Sequence, residues 1–159
     1  MGKKIVLAGD PPSRKVLIGR CDDLFSLLVR YLAGWRCAKC GKQHRELSKE
    51  LSCSHFWSRG DFGTRWEQQN CDALCGIFYW NPRTRKYEMG SCHGEWEREK
   101  AGAYRDFMLK KLGQDGYDIL EYKARNSSHF SRNDLVILRK DLQARLDRAM
   151  ERFRAGPEE

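Results

Sequence analysis

Four cysteines placed far apart along the chain constrain its fold more than any other feature: Cys37-x-x-Cys40, then Cys75, then Cys92. A Cys-x-x-Cys turn lets two thiolates reach one ion, and four thiolates satisfy a tetrahedral Zn²⁺ completely, leaving no open position. Cys37 and Cys40 supply one half of such a shell, and Cys75 and Cys92 supply the other if the segment between them folds back on itself. Cys71 and Cys53 compete for those places. Their alternative fate, shared with Cys21, is that of small buried hydrophobes. Seven cysteines, an odd number, follow a start (Met1-Gly2-Lys3-Lys4-Ile5-Val6) without a secretory apolar region. That combination favours metal ligation over a disulfide framework. No apolar run reaches the length of a membrane span, so a cytoplasmic protein without a membrane partner is expected.

The chain has 159 residues, 40% of them hydrophobic, which suits one compact domain with appendages. Its 30 Lys and Arg outnumber 22 Asp and Glu, a net charge of +8. Such an excess favours a polyanionic partner, because each neutralised phosphate releases a counterion.

Three regions are expected: an N-terminal arm and helix (1–36), a zinc-bound core with an inserted hairpin (37–113), and a C-terminal helical extension (114–159). Gly9-Asp10-Pro11-Pro12 interrupts regular structure, so the first twenty residues read as a loosely docked basic arm. From Asp22, a plausible N-cap, Leu24, Leu27, Leu28 and Tyr31 follow helical spacing, and Gly34 ends the pattern. Leu51 to Trp57 reads as a short strand with Leu51, Cys53 and His55 on one face. Residues 58–65 form a basic loop. Two aromatic runs, Ile77-Phe78-Tyr79-Trp80 and Lys86-Tyr87-Glu88-Met89, flank a basic tip and predict a β-hairpin. A helix is expected from His93 to about Leu112, stopping at Gly113, with a short helical segment at Tyr117 to Lys123. Ser131 and Asp134 stand at capping-box spacing before an amphipathic run with Leu135, Leu138, Leu142, Leu146, Ala149 and Phe153 on one stripe.

Taken together, Cys37-x-x-Cys40-Gly41, Cys53-Ser54-His55-Phe56-Trp57-Ser58-Arg59, Thr64-Arg65-Trp66, Asn70, Cys75 and Cys92-His93 resemble the HNH (His-Me finger) endonucleases, and among them the phage Rap/NinG recombination-endonuclease family. The resemblance spans most of residues 22–113. It implies an α+β fold, a zinc-stapled ββα-metal core with flanking helices, and metal-dependent hydrolysis of DNA phosphodiesters, with branched recombination intermediates as candidate substrates. His55 is then the general base, a task suited to a side chain that titrates near neutrality. Asn70 orients His55 by pinning its loop, and His93 holds a catalytic divalent metal, Mg²⁺ or Mn²⁺. Glu97, four residues on, shares a helix face with His93 and can grip the same ion. Relatives commonly carry Asp or His before the catalytic histidine, where this chain has Ser54. Asp61 and Glu67 are the nearby acids that could compensate.

Arg59, Arg65, Arg83, Arg85 and Lys86 are the candidate DNA contacts, with Tyr79 or Trp80 resting against a sugar or base. The basic C-terminal helix offers a further phosphate-contacting face, or a homodimer contact through its leucine stripe. His44 and His129 fall outside the pattern and are expected to be solvated. The main rival reading is a non-catalytic zinc-dependent DNA-binding or adaptor module, in which His55 and His93 serve as zinc ligands or buried structural residues. A zinc-containing RNA-binding protein is the second.

Overall fold

The computed structural model describes residues 12–76, 78–89, 91–126 and 129–156, and within the hairpin it describes side chains at 82–85 alone. The fold is α+β. Helix α1 runs Arg14–Leu32, starting where the Ser13 hydroxyl accepts from the Val16 amide at 3.4 Å. The expected start at Asp22 is therefore corrected: the helix begins two turns earlier, and only residues 1–11 of the expected arm fall outside the described residues. The apolar stripe simply continues upstream through Leu17 and Cys21, both buried. The chain leaves α1 through Gly34, whose φ of 56° suits a residue without a Cβ.

Strands β1 (Leu51–His55) and β2 (Cys71–Cys75) pair antiparallel, with Leu51 opposite Cys75, Cys53 opposite Ala73 and His55 opposite Cys71. Between them lie turns and one 3₁₀ turn, Gln68–Asn70. Strands β3 (Phe78–Asn81) and β4 (Lys86–Met89) form the expected hairpin, Phe78 facing Met89 and Asn81 facing Lys86. That register sets Cys75 and Cys92 three residues outside its two ends, which explains how ligands distant in sequence converge.

The single helix expected from His93 is two. Helix α2 spans Ser91–Arg98, and α3 spans Ala103–Arg125. Gly102, at φ −117° and ψ −114°, turns the chain between them, so that Trp96 stacks on Tyr104 at 4.5 Å. Gly113 breaks α3 as expected, at φ 70°, but the helix resumes and takes in the segment Tyr117 to Lys123. Helix α4 (Arg132–Ala155) opens with the expected capping box between Ser131 and Asp134. Its Leu135, Leu142, Leu146 and Ala149 are buried and join one core with Leu17, Cys21, Phe25 and Leu28 of α1. Most of the stripe considered for dimerisation is thus consumed within the chain. Each fully buried leucine there contributes about 1.5–3 kcal/mol.

Candidate metal centre and cleft

The sulfurs of Cys37, Cys40, Cys75 and Cys92 lie within 4.8 Å of one another, so these four residues could hold a metal ion such as zinc. The turn carrying Cys37 and Cys40 is fixed by the Gly41 amide donating to the Cys37 carbonyl at 2.9 Å and the Ala38 amide donating to Ala73 of β2 at 2.9 Å. The Cys75 amide points at the Cys37 sulfur, 3.3 Å away. Burial opposes ionisation of Cys37, but backbone amides of Cys40, Cys75 and Lys39 more than offset it and bring its pKa down to about 7. Burial and the neighbouring sulfurs push Cys92 up to about 12 and Cys75 well above its usual range. A cation bound among the four sulfurs would take the place of their protons. The donor set is soft, complete and tetrahedral in number, which fits Zn²⁺.

His44, expected to be solvated, is buried instead, with its Nε2 at 3.1 Å from the Cys75 sulfur. It sits where an outer hydrogen bond orients a metal-binding thiolate. His129 is exposed, as expected. Cys21 is a buried reduced thiol donating to the Leu135 carbonyl at 3.6 Å, and burial, followed by Asp22, pushes its pKa up to about 11.

Beyond the cysteines, His55, His93, Glu97 and Arg59 line a single cleft of about 580 Å³. Arg30, Lys49 and Lys100 join Arg59 on its wall, so four cations face one carboxylate, Glu97. A cavity of about 600 Å³ beside the 42–50 loop gathers none of the residues singled out for catalysis.

His55 stands at the end of β1, and its Nε2 lies 3.0 Å from the Arg65 carbonyl. A carbonyl only accepts, so Nε2 carries the hydrogen and Nδ1 keeps the basic lone pair. Burial, then the Arg59 charge, push the His55 pKa down to about 4, below the near-neutral titration expected of it, so the imidazole is neutral at pH 7 but a weaker base than a free one. The side-chain hydrogen bonds of Asn70 go to the loop and not to His55. Asn70 is fully buried and holds the intervening loop: Oδ1 accepts from the Trp57 amide at 2.8 Å, and Nδ2 donates to the carbonyls of Trp57 at 3.0 Å and Thr64 at 3.1 Å. The carbonyl that Asn70 grips at Thr64 is the neighbour of the one His55 contacts.

His93 Nδ1 meets the Ser52 hydroxyl at 2.7 Å, and its Nε2 lies 3.2 Å from Glu97 Oε1. Ser52 also lies 3.2 Å from the Leu74 carbonyl and has one proton to give. Given to Nδ1, that proton leaves Nε2–H to donate to Glu97, a hydrogen that a cation bound between the two would replace. Burial lowers the His93 pKa against the opposing pull of Glu97. A nitrogen and a carboxylate oxygen so placed can share one divalent cation.

Several sequence candidates lie elsewhere. Ser54 is fully buried and does not line the cleft. Glu67 pairs with Lys123 at 3.0 Å, and neither it nor Asp61 reaches the cleft. Arg65 is committed: Asp22 of α1 accepts from its Nε at 2.9 Å and its Nη2 at 2.7 Å, and also from Trp66 Nε1 at 3.0 Å. Arg83 and Arg85 are exposed at the hairpin tip and do not line the cleft. The side chains of Lys86, Tyr79 and Trp80 lie outside the described residues. Ser52, Arg30 and Lys100 were not anticipated; strand alternation alone assigns Ser52 to the opposite face from His55.

No family model, curated protein or solved structure matches this chain. No described helix is long and apolar enough to cross a membrane.

Proposed function

We propose that this chain is a metal-dependent DNA endonuclease with an HNH-type ββα-metal site, stapled by zinc on Cys37, Cys40, Cys75 and Cys92. The observation that carries the reading is the convergence of a neutral, carbonyl-oriented His55 and the His93–Glu97 pair on one basic cleft. His55 on β1, Asn70 just before β2 and His93 on α2 follow the order that the HNH resemblance implies.

In this reading His55 Nδ1 takes a proton from a water, and the resulting hydroxide attacks phosphorus. His93 and Glu97 would hold Mg²⁺ or Mn²⁺, which supplies charge stabilisation to the phosphate and the departing 3′ oxygen. Arg59, Arg30, Lys49 and Lys100 position the polyanion, and the Arg65 carbonyl keeps the imidazole aligned. Asn70 acts through the loop as a positioning residue. Branched recombination intermediates remain the proposed substrates, and a phage or prophage setting follows from the resemblance alone.

The test is cleavage of plasmid and junction DNA with Mg²⁺ or Mn²⁺. Wild type should cut, and His55→Ala should lose on the order of 10²-fold or more. Equal cutting by His55→Ala sinks the assignment. DNA binding without cutting by wild type favours the adaptor reading.

A further inference from the structure

Cys53, His55 and Cys71 form a second cluster that the four-cysteine centre does not use. Their donor atoms all lie within 4.8 Å of one another. Strand register builds it: Cys53 and His55 are two apart on β1 and share a face, and Cys71 of β2 stands opposite His55. Both cysteines are buried, at 3% and 4% exposure, while His55 and Cys53 border the cleft. Arg30, in the last turn of α1, lies on the same wall.

We propose that Cys53, His55 and Cys71 form a second, inhibitory metal site that takes a thiophilic cation such as Zn²⁺ and withdraws His55 from its role as base. Two sulfurs and an imidazole select Zn²⁺ over Mg²⁺, which prefers oxygen. Tetrahedral zinc, with bonds of about 2.0–2.3 Å, needs its donors roughly 3.5 Å apart, so modest side-chain closure completes the set. On binding, the thiol protons pass to solvent. Three protein donors leave a fourth position, within reach of water or a phosphate oxygen from the cleft. An imidazole whose lone pair is given to zinc cannot also accept a proton from water. The blocking effect rests on the proposed role of His55; the binding does not.

The experiment adds Co²⁺ to the full-length protein with its four-cysteine centre already filled by zinc, and reads sulfur-to-cobalt charge-transfer absorption. Wild type should show the band for one added equivalent, and Zn²⁺ should erase it. Cys53→Ala and Cys71→Ala should each lose the band while keeping the first zinc and an unchanged circular-dichroism spectrum. If one variant fails to fold, the other carries the comparison. No band in wild type, or a full band in a folded variant, overturns the site.

In parallel, one equivalent of Zn²⁺ beyond the structural ion should slow Mg²⁺-driven cleavage by wild type on the order of 10²-fold, the scale of a lost general base. The folded Cys→Ala variants should be unaffected. Unslowed cleavage by protein that shows the band overturns the inhibitory half. A band in protein that never cuts DNA upholds the metal site and defeats the nuclease reading.

Discussion

Replacing Asn70 with alanine should destabilise the loop that follows β1 and, through it, the whole chain. The side chain has no solvent exposure and makes three hydrogen bonds that tie Trp57 and Thr64 across the loop following β1. Each bond contributes a net of about 0.5–1.5 kcal/mol, and groups left without partners add their desolvation cost, so the loss should be about 2–4 kcal/mol. At a urea slope of about 2 kcal/mol/M, the unfolding midpoint should drop by roughly 1–2 M. Asn70→Asp keeps the acceptor facing the Trp57 amide but sets an acid against two carbonyls, so it should not restore stability. Zinc content should stay unchanged, because the side-chain hydrogen bonds of Asn70 run to Trp57 and Thr64 and not to the four cysteines. DNA cleavage should fall as the Arg65 carbonyl loses its fixed position beside His55. A midpoint shift worth less than about 0.5 kcal/mol, the level of a neutral surface change, would show that the loop does not depend on Asn70.

Three further outcomes follow from the same geometry. Cys92→Ser should release the bound zinc and lower stability by several kcal/mol, whereas Cys21→Ser should retain the metal; metal analysis after gel filtration distinguishes them. Gly63→Ala should cost about 1–3 kcal/mol in urea unfolding, because a Cβ there would come within 2.0 Å of the Lys123 carbonyl oxygen in α3. The third concerns pH. His55 binds a proton near 6.5 when unfolded but only near 4 when folded, so between these values the unfolded state holds more protons. Its contribution to stability is therefore complete above pH 6.5 and is lost as pH falls toward 4. The acid limb of the cleavage rate should likewise lie near 4; a limb near 6.5 would contradict the depressed value.

The four-cysteine cluster was legible because its chemistry lies in residue type and spacing: a Cys-x-x-Cys turn and a hairpin whose register brings Cys75 to Cys92. Asn70 was legible as a loop pin only through resemblance, since nothing in its neighbours announces three buried bonds. Long-range pairings were not legible. Asp22 resembles an N-cap in sequence, yet it serves Arg65 and Trp66, more than forty positions away. His44 carries no local sign that the folded loop presses it against Cys75. Pro11-Pro12 reads as disruption, although a proline just before a capping serine is compatible with a helix beginning there, as it does at Ser13. The turn at Gly102 was missed because one glycine inside a helical pattern is usually tolerated, and here stacking of Trp96 on Tyr104 favours the turn.

If His55 removes a proton from water in a metal-loaded cleft, free imidazole should be able to stand in for it. Plasmid nicking by His55→Gly in Mn²⁺, with and without added imidazole, is the decisive measurement. The variant should be folded, zinc-bound and nearly inactive, and should regain measurable nicking as imidazole enters the vacated space. Nicking by His55→Gly at the wild-type rate without imidazole would contradict that role for His55.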